Sequence, residues 1–165
     1  VTYTIRRATP ADAGIIAGHR VAMFRDMGEV PTDAVGRELL AASIPMLEAL
    51  LISDDYVGWL ASAEGGAVIA GAGAHIRAQL PRIARGAPRI ETSPVPLVVN
   101  VYTEPAFRRR GISRALMRSL QQWAIDAGYS RVVLHASDAG RPLYHSLGFE
   151  PSNEMRWYGA GPHAD

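Results

Sequence analysis

The stretch VYTEPAFRRRGISRALMRSLQQWA, residues 101–124, decides how the rest of the chain is read. The residues just before it, from Leu97, are nearly all apolar, as expected of a strand covered on both faces. Beyond Gly111 the residues Ile112, Ala115, Leu116, Leu120, Trp123 and Ala127 fall on one helical stripe. Arg114, Arg118, Gln121 and Gln122 lie outside it, and Gly128 closes the helix. A strand that passes through a turn into a glycine-opened helix builds an anion site. The first N–H groups of such a helix have no intrahelical partner and sit at the positive end of its dipole. Gly111 lets an anion come close, and Arg108, Arg109, Arg110 and Arg114 add charge-assisted contacts to a phosphate or diphosphate. The plain alternative is a solvated arginine turn.

Working outward, Arg131 to Ala136 reads as a second buried strand, so residues 97–136 form a strand-helix-strand unit with a parallel pair. A short helix near Pro142 to Leu147, stopped by Gly148, and a final strand pair around Phe149 and Met155 to Tyr158 complete the C-terminal side. Upstream, Val1 to Arg6 reads as a strand. Thr9 and Pro10 open a helix that runs to about Met27, with Ile15, Ile16, His19, Met23 and Phe24 at helical spacing. Thr32 caps a second helix, which Pro45 is expected to break or kink. Tyr56 to Ala63 and Ala67 to Arg77 are strands joined by the hairpin signal Glu64-Gly65-Gly66. Residues 78–96, with Pro81, Pro88, Pro94 and Pro96 among Arg82, Arg85 and Arg89, read as a long excursion. That stretch is a solvated loop, an acidic-substrate lid or a dimer contact.

The whole is 165 residues with 48% hydrophobic content, enough for a single domain over 1–165 with one core. The absence of cysteine excludes disulfides, thiolate nucleophiles, Cys-ligated zinc and iron–sulfur clusters. No metal site is expected. The net charge of +1 gives no overall attraction to nucleic acid or anionic membrane. All 17 basic residues are arginine, which rules out a lysine Schiff base or a lysine general base. No apolar run approaches a spanning helix and no signal-peptide core is present at the start, so a cytoplasmic location is expected.

The motif at 108–113, Arg-Arg-Arg-Gly-Ile-Ser, resembles the (Q/R)-x-x-G-x-(G/A) signature of the GCN5-related N-acetyltransferases (GNAT). Leu143 to Phe149, LYHSLGF, is similar to that family's L-Y-x-x-L-G-F block in the matching order. The resemblance implies a mixed, mostly antiparallel sheet of six to seven strands flanked by about four helices. Its strands 4 and 5 would be parallel and splayed, with acetyl-CoA in the resulting V. It also implies that the backbone of Val101 and Thr103 pairs with the pantetheine arm. Arg108, Arg109, Arg110, Gly111, Ser113 and Arg114 would surround the pyrophosphate, and Tyr144 would lie near the coenzyme sulfur. Three departures stand out. Ser113 replaces glycine or alanine. Ser137 occupies the place of a frequent asparagine, which puts cofactor contacts from that loop in question. Counting back four residues from Asn100 to the family's occasional glutamate base gives Pro96.

Transfer to an amine needs a neutral amine, a polarised thioester and a proton for the leaving thiolate. An alkyl ammonium is about 0.1% or less neutral at pH 7, so a base matters. Backbone N–H groups where the fourth strand bulges, near Val101, suit the developing charge on the thioester oxygen. Tyr144 is the general-acid candidate, or else a core aromatic with a satisfied hydroxyl. Glu104 is the nearest carboxylate for a base, or a solvated turn residue. His135 and His75 either face the cleft or are core histidines, the latter reading being favoured for His135. Phe24, Asp26, Met27 and Glu29 fall where this family shapes its acceptor pocket, with Arg20 or Arg25 available for a substrate carboxylate. The expected function is acetyl transfer from acetyl-CoA, with CoA as product, to a primary amine of a small molecule by direct attack in a ternary complex. The alternatives are acetylation of a protein N-terminus or of aminoacyl-tRNA, and a non-catalytic acyl-CoA sensor. A homodimer paired through terminal strands, to which Trp157 and Tyr158 contribute or else pack in the monomer core, is a further expectation.

Overall fold

The computed structural model describes residues 2–157, and the chain divides into two compact units, Val1–His135 and Ala136–Asp165. Seven strands are formed among the described residues: β1 (Tyr3–Arg7), β2 (Tyr56–Ala63), β3 (Val68–Arg77), β4 (Arg82–Ile83), β5 (Ile90–Glu91), β6 (Val95–Thr103) and β7 (Val133–Leu134). Five of them join in the order β1-β2-β3-β6-β7, and β4 pairs only with β5. Every pairing in the larger sheet is antiparallel except β6 with β7. The sheet is therefore mixed and mostly antiparallel as expected, but its central ladder has five strands rather than six or seven. The β4–β5 ladder lies within the proline-rich stretch that reads as an excursion.

Helices α1 (Ala13–Asp26) and α2 (Asp33–Ile52) precede the sheet's second strand, and α3 (Ile112–Asp126) links β6 to β7. Neighbouring residues on a strand face opposite ways. Leu60 of β2 accordingly enters a cluster with Ala13, Ile16, Ala17, Leu47 and Leu51 of α1 and α2. Trp59 instead stacks at 5.8 Å on Trp123 of α3. Helices thus cover both faces of the sheet. Of the expected α3 stripe, Ile112, Leu116 and Leu120 are buried, Ala115 and Trp123 are half-buried and Ala127 is exposed. Met117 and Ala124 join the buried face instead, and each of the larger buried side chains contributes roughly 2 kcal/mol by leaving water.

Strand β3 reads Gly71-Ala-Gly-Ala-His75, and the alternation has a purpose. Gly71 and Gly73 turn to the α1 side, where a β-carbon at Gly71 would come within 2.9 Å of Leu60 and one at Gly73 within 2.1 Å of the Tyr56 hydroxyl. This glycine paving lets Tyr56 lie flat across β3, with its hydroxyl reaching Asn100 of β6.

Three expectations are corrected here. Pro45 does not break α2, which continues from Asp33 to Ile52. Pro45 and Ala41, four residues earlier, are both exposed, so water satisfies the carbonyl that loses its donor. Meanwhile Leu40, Ile44, Leu47 and Leu51 keep packing on the inner face. Strand β7 is two residues, not six, and its register with β6 holds only at Leu97↔Val133 and Val98↔Leu134. Finally, residues 149–157 form no strand. Pro151 lacks a ladder donor, and Met155 and Trp157 are 94% and 89% exposed with no facing strand among the described residues to cover them. The terminal-strand basis for a homodimer is therefore not formed at Trp157, and Tyr158 lies outside the described residues.

The second unit contains α4 (Arg141–Ser146), well under the ~12–15 residues at which an isolated helix becomes even marginally stable. Ser137 starts it. The Ser137 hydroxyl accepts from the Gly140 N–H at 3.2 Å, and its carbonyl accepts from the Arg141 N–H at 3.0 Å. No helix among the described residues is long and apolar enough to cross a membrane.

Candidate active site

Strand β6 carries one residue more than β3 between two paired positions. Gly71 pairs with Tyr102 and Gly73 with Val99, so Asn100 and Val101 together oppose Ala72. Asn100 takes φ of 59°, in the left-handed region that asparagine tolerates better than most residues. The bulge is fastened by its side chain. Arg20 of α1 donates to Asn100 Oδ1 at 2.8 Å, and the Arg20 guanidinium rests 4.8 Å from the Phe24 ring centroid. Asn100 itself is buried.

The Glu104 N–H donates to Ile69 of β3, which fixes the alternation of this end of β6. Tyr102 shares the β3 side, while Val101 and Thr103 turn their backbone groups to the opposite edge. β7 has parted from that edge after Val98, so β6 runs five residues beyond the parallel pairing. The expected splay and the expected backbone donors therefore coincide.

The turn that follows is shaped by two left-handed residues, Arg109 at φ 62° and Gly111 at φ 78°. Gly111 is the N-cap of α3, and a β-carbon there would meet nothing within 4 Å. Arg109, Arg110 and Gly111 are exposed, with Ser113 and Arg114 half-buried on the first turn. An exposed, unobstructed helix N-terminus between arginines fits a diphosphate. Two members of the motif are already engaged. Ser113 Oγ hydrogen-bonds Thr103 Oγ1 at 2.8 Å, joining α3 to β6. Arg108 Nε donates to the Thr103 carbonyl at 2.9 Å and its Nη2 pairs with Asp26, so this arginine ties the end of α1 to the end of β6. Arg110 lies over Phe107.

The expected acceptor residues gather partly. Asp26 reaches β6 through Arg108, and Phe24 packs on Arg20. Met27 and Glu29 are exposed just beyond α1, where the Glu29 N–H donates to the Phe24 carbonyl. Burial, then Glu104 and Asp26, raise the Tyr102 phenol, and Arg108 opposes them. Both carboxylates therefore flank this one tyrosine. Arg20 donates to Asn100, and Arg25 pairs with the exposed Asp33.

Glu104 caps the short turn Pro105–Phe107, and its Oε1 lies 4.0 Å from Nε2 of His19. His19 belongs to the apolar stripe of α1, which is why helical spacing alone hides it. His75 is half-buried on β3, and His135 is exposed rather than a core histidine. In the second unit, Tyr144 stands edge-on to Phe149 at 5.9 Å, and burial raises its phenol above the ordinary value. A β-carbon at Gly140 would come within 2.9 Å of the Tyr144 ring. Ser137 spends its hydroxyl on the turn into α4.

Among the described residues no cluster of three or more histidines and carboxylates is arranged to hold a metal. The model of the Acetyltransferase (GNAT) family matches residues 22–149. An aminoglycoside N(6′)-acetyltransferase type 1 of Stenotrophomonas maltophilia is 27% identical over 161 residues, covering 94% of this chain and 91% of that protein. A GCN5-related N-acetyltransferase from Ralstonia eutropha JMP134 is 30% identical with a TM-score of 0.79, covering 97% of this chain and all of that one. A predicted acetyltransferase from Clostridium acetobutylicum, solved with acetyl-CoA, has the same fold at a TM-score of 0.80, 24% identity and coverage of 95% and 96%. With the bulged strand, the splayed edge and the glycine-opened arginine turn, this chain belongs to the GNAT family of acetyl-CoA-dependent acetyltransferases.

Proposed function

We propose that the chain, acting as one domain over 1–165, acetylates a primary amine of a small, cationic molecule by direct attack in a ternary complex. The observation that carries this reading is the continuity of β6. The bulge at Asn100 and Val101, the carboxylate of Glu104 and the α3 N-terminus succeed one another along one strand and its turn. Acetyl-CoA supplies an acetyl group activated as a thioester. Gly111, Ser113 and Arg114 at the helix N-terminus, with Arg109 and Arg110, hold its phosphates. The outward backbone groups of Val101 and Thr103 align the arm, and the Thr103 carbonyl, which already accepts from Arg108, keeps a second lone pair for it.

The bulge N–H near Val101 is suited to polarise the acyl oxygen as charge develops on it. Glu104 takes the proton of the amine, whose nitrogen keeps the electron pair and attacks. Tyr144 is the candidate to protonate the departing thiolate, and Ser137 orders the loop ahead of it. Glu29, with Phe24, Met27 and the Asp26 that is paired with Arg108, lines the acceptor side, where the Glu29 carboxylate favours a cation. The relative named for aminoglycosides, matched along nearly its whole length, supports a polyamino sugar as the first acceptor class to test.

The test is thiol release from acetyl-CoA across aminoglycosides, linear polyamines and N-terminal peptides. Turnover with a small polyamine, reduced at least ~10-fold in Glu104→Gln, is expected. Acetyl-CoA binding without release in any amine would replace the transferase with a sensor.

A further inference from the structure

The side chain of His19 is only 8% exposed, and its Nδ1 has no hydrogen-bond partner among the described residues. Nδ1 faces Gly71, where a β-carbon would lie 3.2 Å away. His19 also lines a small cavity together with Ile16, Leu60, Tyr56 and Asn100. A buried, unpaired ring nitrogen beside a small cavity that Tyr56 and Asn100 also line is a setting in which a water is held. The opposite nitrogen, Nε2, faces Glu104 Oε1 at 4.0 Å, and the Tyr102 ring closes the side of the imidazole at 5.2 Å.

We propose that His19 is a positioning residue for Glu104. A water in the cavity donates to Nδ1, which fixes the neutral imidazole in its Nε2–H form. Nε2–H then orients the Glu104 carboxylate so that its second oxygen meets the acceptor amine. This rests on the transferase reading above and names the device that aims its base. In the proton step the N–H bond of the ammonium breaks and an O–H bond forms on Glu104. The electron pair stays on nitrogen, and the half-exposed carboxylate later gives the proton to solvent. His19 transfers no proton; it decides where the carboxylate points.

The charged and titratable groups around the ring are few. Glu104 faces Nε2, Tyr102 flanks the ring, Tyr56 lies across the cavity, and Arg20 is held by Asn100. Asp26 and Arg108 pair with each other on the Tyr102 side. Burial lowers the imidazole below its ordinary value, and Glu104 partly opposes that. Removing the carboxylate must therefore lower it further.

The first arm is nitrogen-detected NMR of the full chain without cofactor, with His19 assigned by His19→Gln. An Nε2–H tautomer at pH 8, and a titration midpoint lower in Glu104→Gln than in wild type, are expected. An Nδ1–H tautomer, or equal midpoints in wild type and Glu104→Gln, would overturn the proposal. The second arm uses the best acceptor amine. His19→Leu should lower kcat about 10-fold and shift the acidic limb of its pH profile while the KM for acetyl-CoA stays put. His19→Gln, which keeps a donor near Nε2, should recover part of the loss. Equal kcat in wild type and His19→Leu would also overturn it. A wild type that acetylates no amine sinks the transferase reading alone, because the NMR arm still decides whether the two residues act as a pair.

Discussion

A β-carbon added to Gly73 would lie 2.1 Å from the Tyr56 hydroxyl oxygen and 2.4 Å from the ring carbon that bears it. Tyr56 is 3% exposed, so its ring cannot swing into solvent to yield. Gly73→Ala should therefore cost about 2 to 3 kcal/mol, the range of overpacking in a filled core. Gly66→Ala is the comparison, since it adds only the strain of a positive φ of 86° and its β-carbon meets nothing within 4 Å. Thermal unfolding should rank Gly73→Ala well below Gly66→Ala, and truncating Tyr56 in the Gly73→Ala background should relieve the clash term. Equal melting temperatures for the two single variants would contradict the stacked arrangement.

The entry to α1 rests on a buried carboxylate. Asp12 accepts from both terminal guanidinium nitrogens of Arg6, Nη2 at 2.7 Å and Nη1 at 2.8 Å, and from the Thr9 N–H at 2.8 Å. The Arg6 bond, ahead of the Thr9 bonds and against desolvation, pulls its carboxyl down from 3.8 to about 2. A depressed carboxylate stabilises the fold at pH values above its unfolded pKa, and that contribution is lost as pH falls through the folded value. The loss therefore falls between about pH 4 and pH 2. Because Arg6 is half-exposed, about 1 to 2 kcal/mol is expected rather than the full linkage energy. Chemical denaturation of wild type and Asp12→Asn should show a constant gap from pH 5 to 8 that closes by pH 2. A gap that persists at pH 2 would assign the effect to packing.

What the chain reveals before folding is its local chemistry. The Glu64-Gly65-Gly66 turn, the left-handed Gly111 and the Ile112, Leu116 and Leu120 face of α3 each follow from a few adjacent residues, while the burial of Met117 and Ala124 in place of Ala127 depends on what packs against the helix. Contacts between distant segments are harder to read. Nothing near Pro45 says that its missing N–H would face water, so a break is the natural expectation. The engagement of Arg108 with Asp26 depends on residues 82 positions apart, and its arginine reads locally as one more phosphate ligand. His19 is masked by its own helix, where it counts as an apolar-stripe residue until Glu104 and Gly71 are brought against it.

Asn100 separates two roles that a single substitution would confuse. Its backbone sits at φ 59° in the bulge, and its side chain receives Arg20. Asn100→Gly keeps the backbone freedom and loses the hydrogen bond, whereas Asn100→Ala loses both and adds strain of roughly 1 kcal/mol. Asn100→Ala should be the less stable of the two by unfolding measurements. Both should reduce acetyl transfer, because Arg20 no longer pins the strand beside Val101. Full activity in Asn100→Gly would show that the bulge keeps its shape without Arg20.

Gly111 and Gly128 bracket α3 with the same φ of 78°, and a β-carbon at either would enter open space. Alanine at each position should therefore cost a similar backbone strain, about 1 kcal/mol. Only the first lies on the path of a bound diphosphate. Gly111→Glu places a carboxylate where an N-terminal dipole stabilises it, so the fold should survive while acetyl-CoA binding falls by at least ~10-fold, the cost of a like charge and lost close approach. Gly128→Glu should bind as wild type. Calorimetric titration of acetyl-CoA and free CoA into the three proteins decides the matter. Equal affinity in Gly111→Glu and wild type would mean that the arginine turn packs the helix and holds no phosphate.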